Sequence, residues 1–201
     1  MAFGRKAEMT VALDARTPAT REKLLQRLTV LFLLLSLVMS AASAPLVTDA
    51  APLGLVTLEF AGSAAVAGRV IASWSEALQH RALVALSLDY LYLLVYPALL
   101  SLACLRTAER FEQEPAAYDG STSAMFGRCL AFFVLAAAPL DGIENFALIR
   151  ALVDGPSDAW AGIAWWCAVG KFLLIVAAVL YVSSALMVQW RDLRVEGREN
   201  T

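Results

Sequence analysis

A chain of 201 residues that is 60% hydrophobic and 17% charged, with a mean hydropathy of +0.65, is too apolar for an ordinary water-soluble domain. Its net charge of −2 gives no electrostatic footprint for nucleic acid. One histidine and three scattered cysteines exclude a bis-histidine haem, a His-rich metal centre and a Cys-x-x-Cys redox pair.

Four apolar stretches carry the excess, at residues 25–44, 83–105, 129–149 and 163–188. Each is close to the ~20 residues that a helix needs to cross the hydrocarbon core. Runs such as LTVLFLLLSLVM and FLLIVAAVLY lack the polar outward face of a soluble helix. The chain therefore reads as an all-α, polytopic four-helix bundle over residues 25–188. It is flanked by an N-terminal segment, 1–24, and a C-terminal tail, 189–201. Lys and Arg number twelve on one side of these spans and three on the other (Arg69, Arg81, Arg150). That bias places both termini in the cytoplasm, and the locale expected is a bacterial cytoplasmic membrane. Trp74, Trp160, Trp165 and Trp166 then fall near the outer interface and Trp190 near the inner one.

In chain order, Thr17 can cap the first helix and Pro18 suits its first turn. Residues 28–39 followed by Ala42-Ser43-Ala44 have the form of a signal peptide with its cleavage site, but Pro45 obstructs the cut and the helix is expected to be retained. In the outer loop, 45–82, Val56, Leu58 and Phe60 alternate with Thr57 and Glu59, which predicts an extended segment. Ser63 then opens a short amphipathic helix whose stripe is Val66, Val70 and Trp74, flanked by Ala67 and Ile71. The helix is a packed connector or a lid. The inner loop, 106–128, with Arg106, Glu109, Arg110, Glu112, Glu114, Pro115 and an Asp119-Gly120 turn signal, reads as a solvated connection.

Ionisable groups inside the spans mark a site: Asp89 in the second, Asp141 and Glu144 in the third, Lys171 in the fourth. At ~1.5 Å per residue all four fall within about 9–13 Å of the outer edge. Asp141, Glu144, Asn145 and Leu148 share one helix face, as do Asp89, Tyr92 and Tyr96. Pro97 and Pro139 let both helices kink and free backbone carbonyls near the cluster. Gly142, Gly162 and Gly170 allow close helix approach. Three carboxylates against one ammonium imply that at least one carboxyl holds a proton, that Lys171 bridges one or two acids, and that Tyr92 or Tyr96 donates to another. No metal or cofactor is implied: Asp141-x-x-Glu144 supplies no imidazole for a di-iron bundle, and phosphate-loop and nucleophile-elbow motifs are absent. Cys104, Cys129 and Cys167 are expected to serve as small apolar packing, and His80 as an ordinary interfacial residue.

LEFAGSAAVAGRVIASW, SLDYLYLLVYP, PLDGIENFALIR and the lysine of the last span resemble a family of uncharacterised bacterial four-span integral membrane proteins, over most of residues 55–180. The resemblance implies the four-span layout and carries no activity. A long first outer loop is also found in quinone-linked thiol oxidoreductases, but their paired cysteines are missing here.

Three functions fit these residues. In the first, the cluster binds or modifies a small amphiphile (a lipid, isoprenoid or quinone), with the carboxylates as acid–base or hydrogen-bonding groups and Lys171 orienting an anionic part. In the second, the shared proton drives proton- or cation-coupled transport in a homo-oligomer. In the third, the chain is an accessory subunit of a larger membrane complex and the cluster only fixes helix register. Membrane lipids are partners in all three.

Overall fold

The computed structural model describes the backbone of residues 18–113 and 120–199, and the side chains of 20–113 and 120–184. Thr17, the basic residues before it, Glu114, Pro115, Asp119 and the side chains of Trp190, Arg191, Arg194 and Arg198 lie outside the described residues. The fold is all-α. Helix α1 spans Pro18–Ser43, α2 Leu55–Glu59, α3 Ala64–Ala72, α4 Glu76–Gln113, α5 Gly120–Phe133, α6 Ala137–Val153 and α7 Asp158–Glu199, with 3-10 turns at Ala44–Leu46 and Val134–Ala136. Among the described residues there is no strand, only an isolated bridge between Thr48 and Ala51.

Four segments are long and apolar enough to cross a membrane: Thr20–Leu46, Glu76–Gln113, Gly120–Val153 and Asp158–Ser184. The first three overrun both ends expected from hydropathy, and the fourth begins earlier than expected. The 106–128 stretch is a correction to the expected solvated connection: α4 continues to Gln113 and α5 begins at Gly120. Arg106, Glu109 and Glu112 sit on a helix instead of a loop, and each has an ion-pair partner on another helix. Arg21 meets Glu109 at 2.6 Å, Glu22 meets Arg106, and Arg128 meets Glu112 at 2.8 Å. Being half exposed, these pairs orient more than they stabilise.

Helix α4 is central. It packs against α1, α5, α6 and α7, while α6 and α7 form a second close pair. Helix α1 is peripheral: Leu33, Leu34 and Leu37 are exposed, as a lipid-facing surface would be. One apolar core lies at the end of the bundle carrying residues 44–75, built on Leu46, Leu58, Val70, Trp74, Leu86 and Leu148. A second, at the opposite end, contains Cys104, Leu130, Val134 and Tyr181.

The loop between α1 and α4 folds as a plug on the first core. Thr48 and Ala51 exchange backbone hydrogen bonds of 3.1 and 3.0 Å, and Gly54 turns the chain at φ +60°, a conformation that disfavours a side chain. The expected extended segment at Val56–Phe60 is instead the single-turn helix α2. A lone strand would leave its ladder unpaired, whereas a helical turn bonds within itself, as Phe60 N–H does to the Val56 carbonyl at 3.2 Å. The apparent alternation is split three ways: Leu58 enters the core, Val56 lines a cavity and Phe60 is exposed. Helix α3 has the expected cap, the Ser63 hydroxyl accepting from Val66 N–H at 3.4 Å, and buries Ala67, Val70 and Ile71. Trp74 joins Val70 in the expected apolar stripe: it is 2% exposed and its indole N–H donates to the Leu46 carbonyl at 2.9 Å.

The two prolines behave differently. Pro97 is accommodated inside an uninterrupted α4, whereas the 3-10 turn Val134–Ala136 breaks the third span just ahead of Pro139, whose missing N–H leaves the Leu135 carbonyl unpaired by the helix ladder. Close helix approach falls at Gly170, where an added Cβ would sit 3.2 Å from Leu140. Gly162 faces open space. The tightest approach is at Gly127: a Cβ there would overlap the Tyr181 hydroxyl, which donates to the Ser123 carbonyl at 3.0 Å. Gly127→Ala is therefore expected to expel that ring and cost about 1–3 kcal/mol, seen as a lower unfolding midpoint in detergent. An unchanged midpoint would show that the α5–α7 contact is looser than described.

Candidate functional site

Three spans and the plug converge on Lys171. From α7 its ammonium donates to Asp141 Oδ1 at 2.7 Å and Glu144 Oε1 at 2.8 Å, both on α6. It also lies 3.5 Å from Glu59 Oε2, at the end of α2. Tyr96 of α4 donates to Asp141 Oδ2 at 3.0 Å, and Asn145 of α6 donates from its amide to Asp89 Oδ2 at 2.6 Å. The i, i+3, i+4, i+7 face of α6 is the inward face: Asp141, Glu144, Asn145 and Leu148 are all buried. Tyr92, one turn beyond Asp89, stacks between Phe32 of α1 and Tyr96 with ring centroids 5.5 and 5.3 Å apart, and its hydroxyl accepts from Ser36 at 3.3 Å.

All seven residues expected at the site are thus brought into one region, with Asp89 joined through Asn145 and with Tyr92 at the edge. Glu59 is an addition. Its signal was available, a carboxylate one turn from Leu55 in the apolar run LGLVTLEF, but a period of two assigned it to solvent. As part of α2 it reaches the ammonium instead. The cluster holds four carboxylates and one ammonium. Two buried acceptors, Glu59 Oε2 and Glu144 Oε2, have no hydrogen-bond donor. Among the described residues no group of three His, Cys, Asp or Glu has the spacing to hold a metal ion. Cys104 and Cys167 are buried, whereas Cys129 is exposed and does not pack as expected.

Beside the cluster lies a cavity of about 510 Å³, within the range of small-molecule sites. Glu59, Asp89, Asp141 and Lys171 form its polar end. From there it runs past Leu100 of α4 and between α1, through Phe32, and α7, through Ile175 and Val179. At ~1.5 Å per residue the α7 wall from Lys171 to Val179 is about 12 Å long. Leu53 and Val179 on the rim are 68% and 46% exposed, so the cavity opens to its surroundings. Its shape is a polar end with an apolar channel. The chain matches no known family model, no curated protein and no solved structure, so function is read from this geometry alone.

Proposed function

We propose that this protein binds, and holds for modification or delivery, a small amphiphile of the lipid, isoprenoid or quinone class. The carrying observation is the cavity's polarity: one end is built from four ionisable side chains and the rest is a mostly apolar channel about 12 Å long. An amphiphile would place its head at Asp89, Glu59 and Lys171 and its chain along Leu100, Ile175 and Val179. Entry would be lateral, between α1 and α7. In a bacterial cytoplasmic membrane with both termini cytoplasmic, the polar end lies in the outer half of the bilayer and the channel runs inward from it.

Two features favour a one-sided binding site over a transport path. Of the two prolines only Pro139 follows a break, helix α4 being unbroken at Pro97, and the core of Cys104, Leu130, Val134 and Tyr181 closes the end away from the plug. Native mass spectrometry with lipidomics on gently extracted wild type and Ile175→Trp, which fills the channel, tests the proposal. The expected result is a specific small molecule retained by the wild type and lost by the variant. Absence of any such molecule from both, with the same stoichiometric protein partners on each, would replace it by the accessory-subunit reading.

A further inference from the structure

We infer that the head group this cavity takes is a primary alkylammonium, and that Lys171 is a structural counter-ion instead of the ligand's anchor. The inference rests on the amphiphile reading and specifies its chemistry.

It follows from counting donors and acceptors. An ammonium has three N–H donors. Lys171 gives two of its own to Asp141 and Glu144 and has Glu59 Oε2 3.5 Å away, so three carboxylates already surround the charge that an anion would need. Tyr96 and Asn145 spend donors on Asp141 and Asp89. Acceptors are in surplus. Of the carboxylates lining the cavity, Glu59 has no hydrogen-bonded donor at Oε2 and Asp89 receives a hydrogen bond at Oδ2 alone. A buried acceptor without a donor is costly, and a ligand that brings N–H groups relieves that cost.

Charge points the same way. Among the described residues lining the cavity, three carboxylates (Glu59, Asp89, Asp141) face one cation, Lys171. An anionic head would meet Asp89 and Glu59 at close range and would have to displace a carboxylate from Lys171. A cation restores balance in a poorly solvating site. Tyr92 and Tyr96 add aromatic faces beside Asp89, which attract cations. The open acceptors call for N–H donors, so a primary ammonium fits where a fully methylated one does not.

Three photoprobes with the same diazirine-bearing dodecyl chain and a primary amine, a hydroxyl or a carboxylate head test this in lipid nanodiscs. The readout is labelling of Phe172 and Ile175, normalised to labelling of the outward Leu94 and Phe132. The amine is expected to label the cavity about tenfold more than the carboxylate, the gain of one or two charge-assisted hydrogen bonds. Glu59→Gln and Asp89→Asn should each cut amine labelling several-fold and leave hydroxyl labelling unchanged, which also reports that the variants remain folded. Equal labelling by all three heads, or strongest labelling by the carboxylate, overturns the ammonium assignment and leaves the amphiphile site standing. Cavity labelling by none of them overturns both.

Discussion

Lys171→Met is expected to destabilise the folded bundle by about 3–5 kcal/mol, the cost of removing one partner from a buried ion pair. The loss is this large because one ammonium serves Asp141, Glu144 and Glu59 at 2.7, 2.8 and 3.5 Å, and methionine leaves them facing each other. Two further results separate this electrostatic cause from a packing defect. Adding Asp141→Asn and Glu144→Gln to the variant should recover part of the loss, since it removes two of the three carboxylate charges left without their counter-ion. Acidification, which supplies the protons that neutralise the stranded carboxylates, should recover part of it, while a void would be indifferent to pH. Denaturant unfolding in mixed micelles provides the measurement. A single variant as stable as wild type would mean that the cluster does not carry these charges in the folded state.

Trp74→Ala should produce the second large effect, about 3–5 kcal/mol for an aromatic removed from a packed core, and its consequences should be local. Trp74 is where α3 closes over the plug: the ring is buried with Leu46, Leu58 and Val70, and its N–H holds the Leu46 carbonyl. The turn at 48–54 and the helix bearing Glu59 follow directly from that anchor. Backbone hydrogen exchange is therefore expected to rise across 46–60 while the four spans keep their protection. Trp74→Phe retains most of the burial and loses the hydrogen bond, so it should cost only about 1–3 kcal/mol with the Leu46 carbonyl left unpaired. Uniform loss of protection in both variants would show that the plug does not fold as a unit separable from the bundle.

The four spans were legible because hydropathy over ~20 residues depends on composition alone and is insensitive to detail. The inward face of α6 was legible for a similar reason: Asp141, Glu144 and Asn145 are costly in lipid, so their shared phase had one resolution. Glu59 was not. In a five-residue helix, α2, the same letters satisfy a period of two and a period of 3.6, and only the unpaired ladder of a lone strand decides between them. Trp74 was legible as part of the α3 stripe but its partner was not, since a buried indole needs an acceptor for its N–H and the stripe does not say which group supplies it. The Leu46 carbonyl that does so lies far away in sequence. The cavity is the least legible feature, because it lies between α1 and α7, whose separation depends on what each packs against elsewhere.

The 3-10 turn at Val134–Ala136 governs more than the local path of the chain. Gly127, Leu130, Val134, Ala137, Asp141, Glu144 and Leu148 are all buried, and they recur in strict alternation of three and four residues across three heptads. A straight α-helix slips ~20° per heptad against such a repeat, about 60° in all. A turn of three residues at three per revolution gains about 20° on each, which returns the same ~60°. The 3-10 turn acts as a vernier between the half of the span that seats Tyr181 and the half that presents Asp141 and Glu144. The aim of those carboxylates at Lys171 is set from below, several residues before they occur.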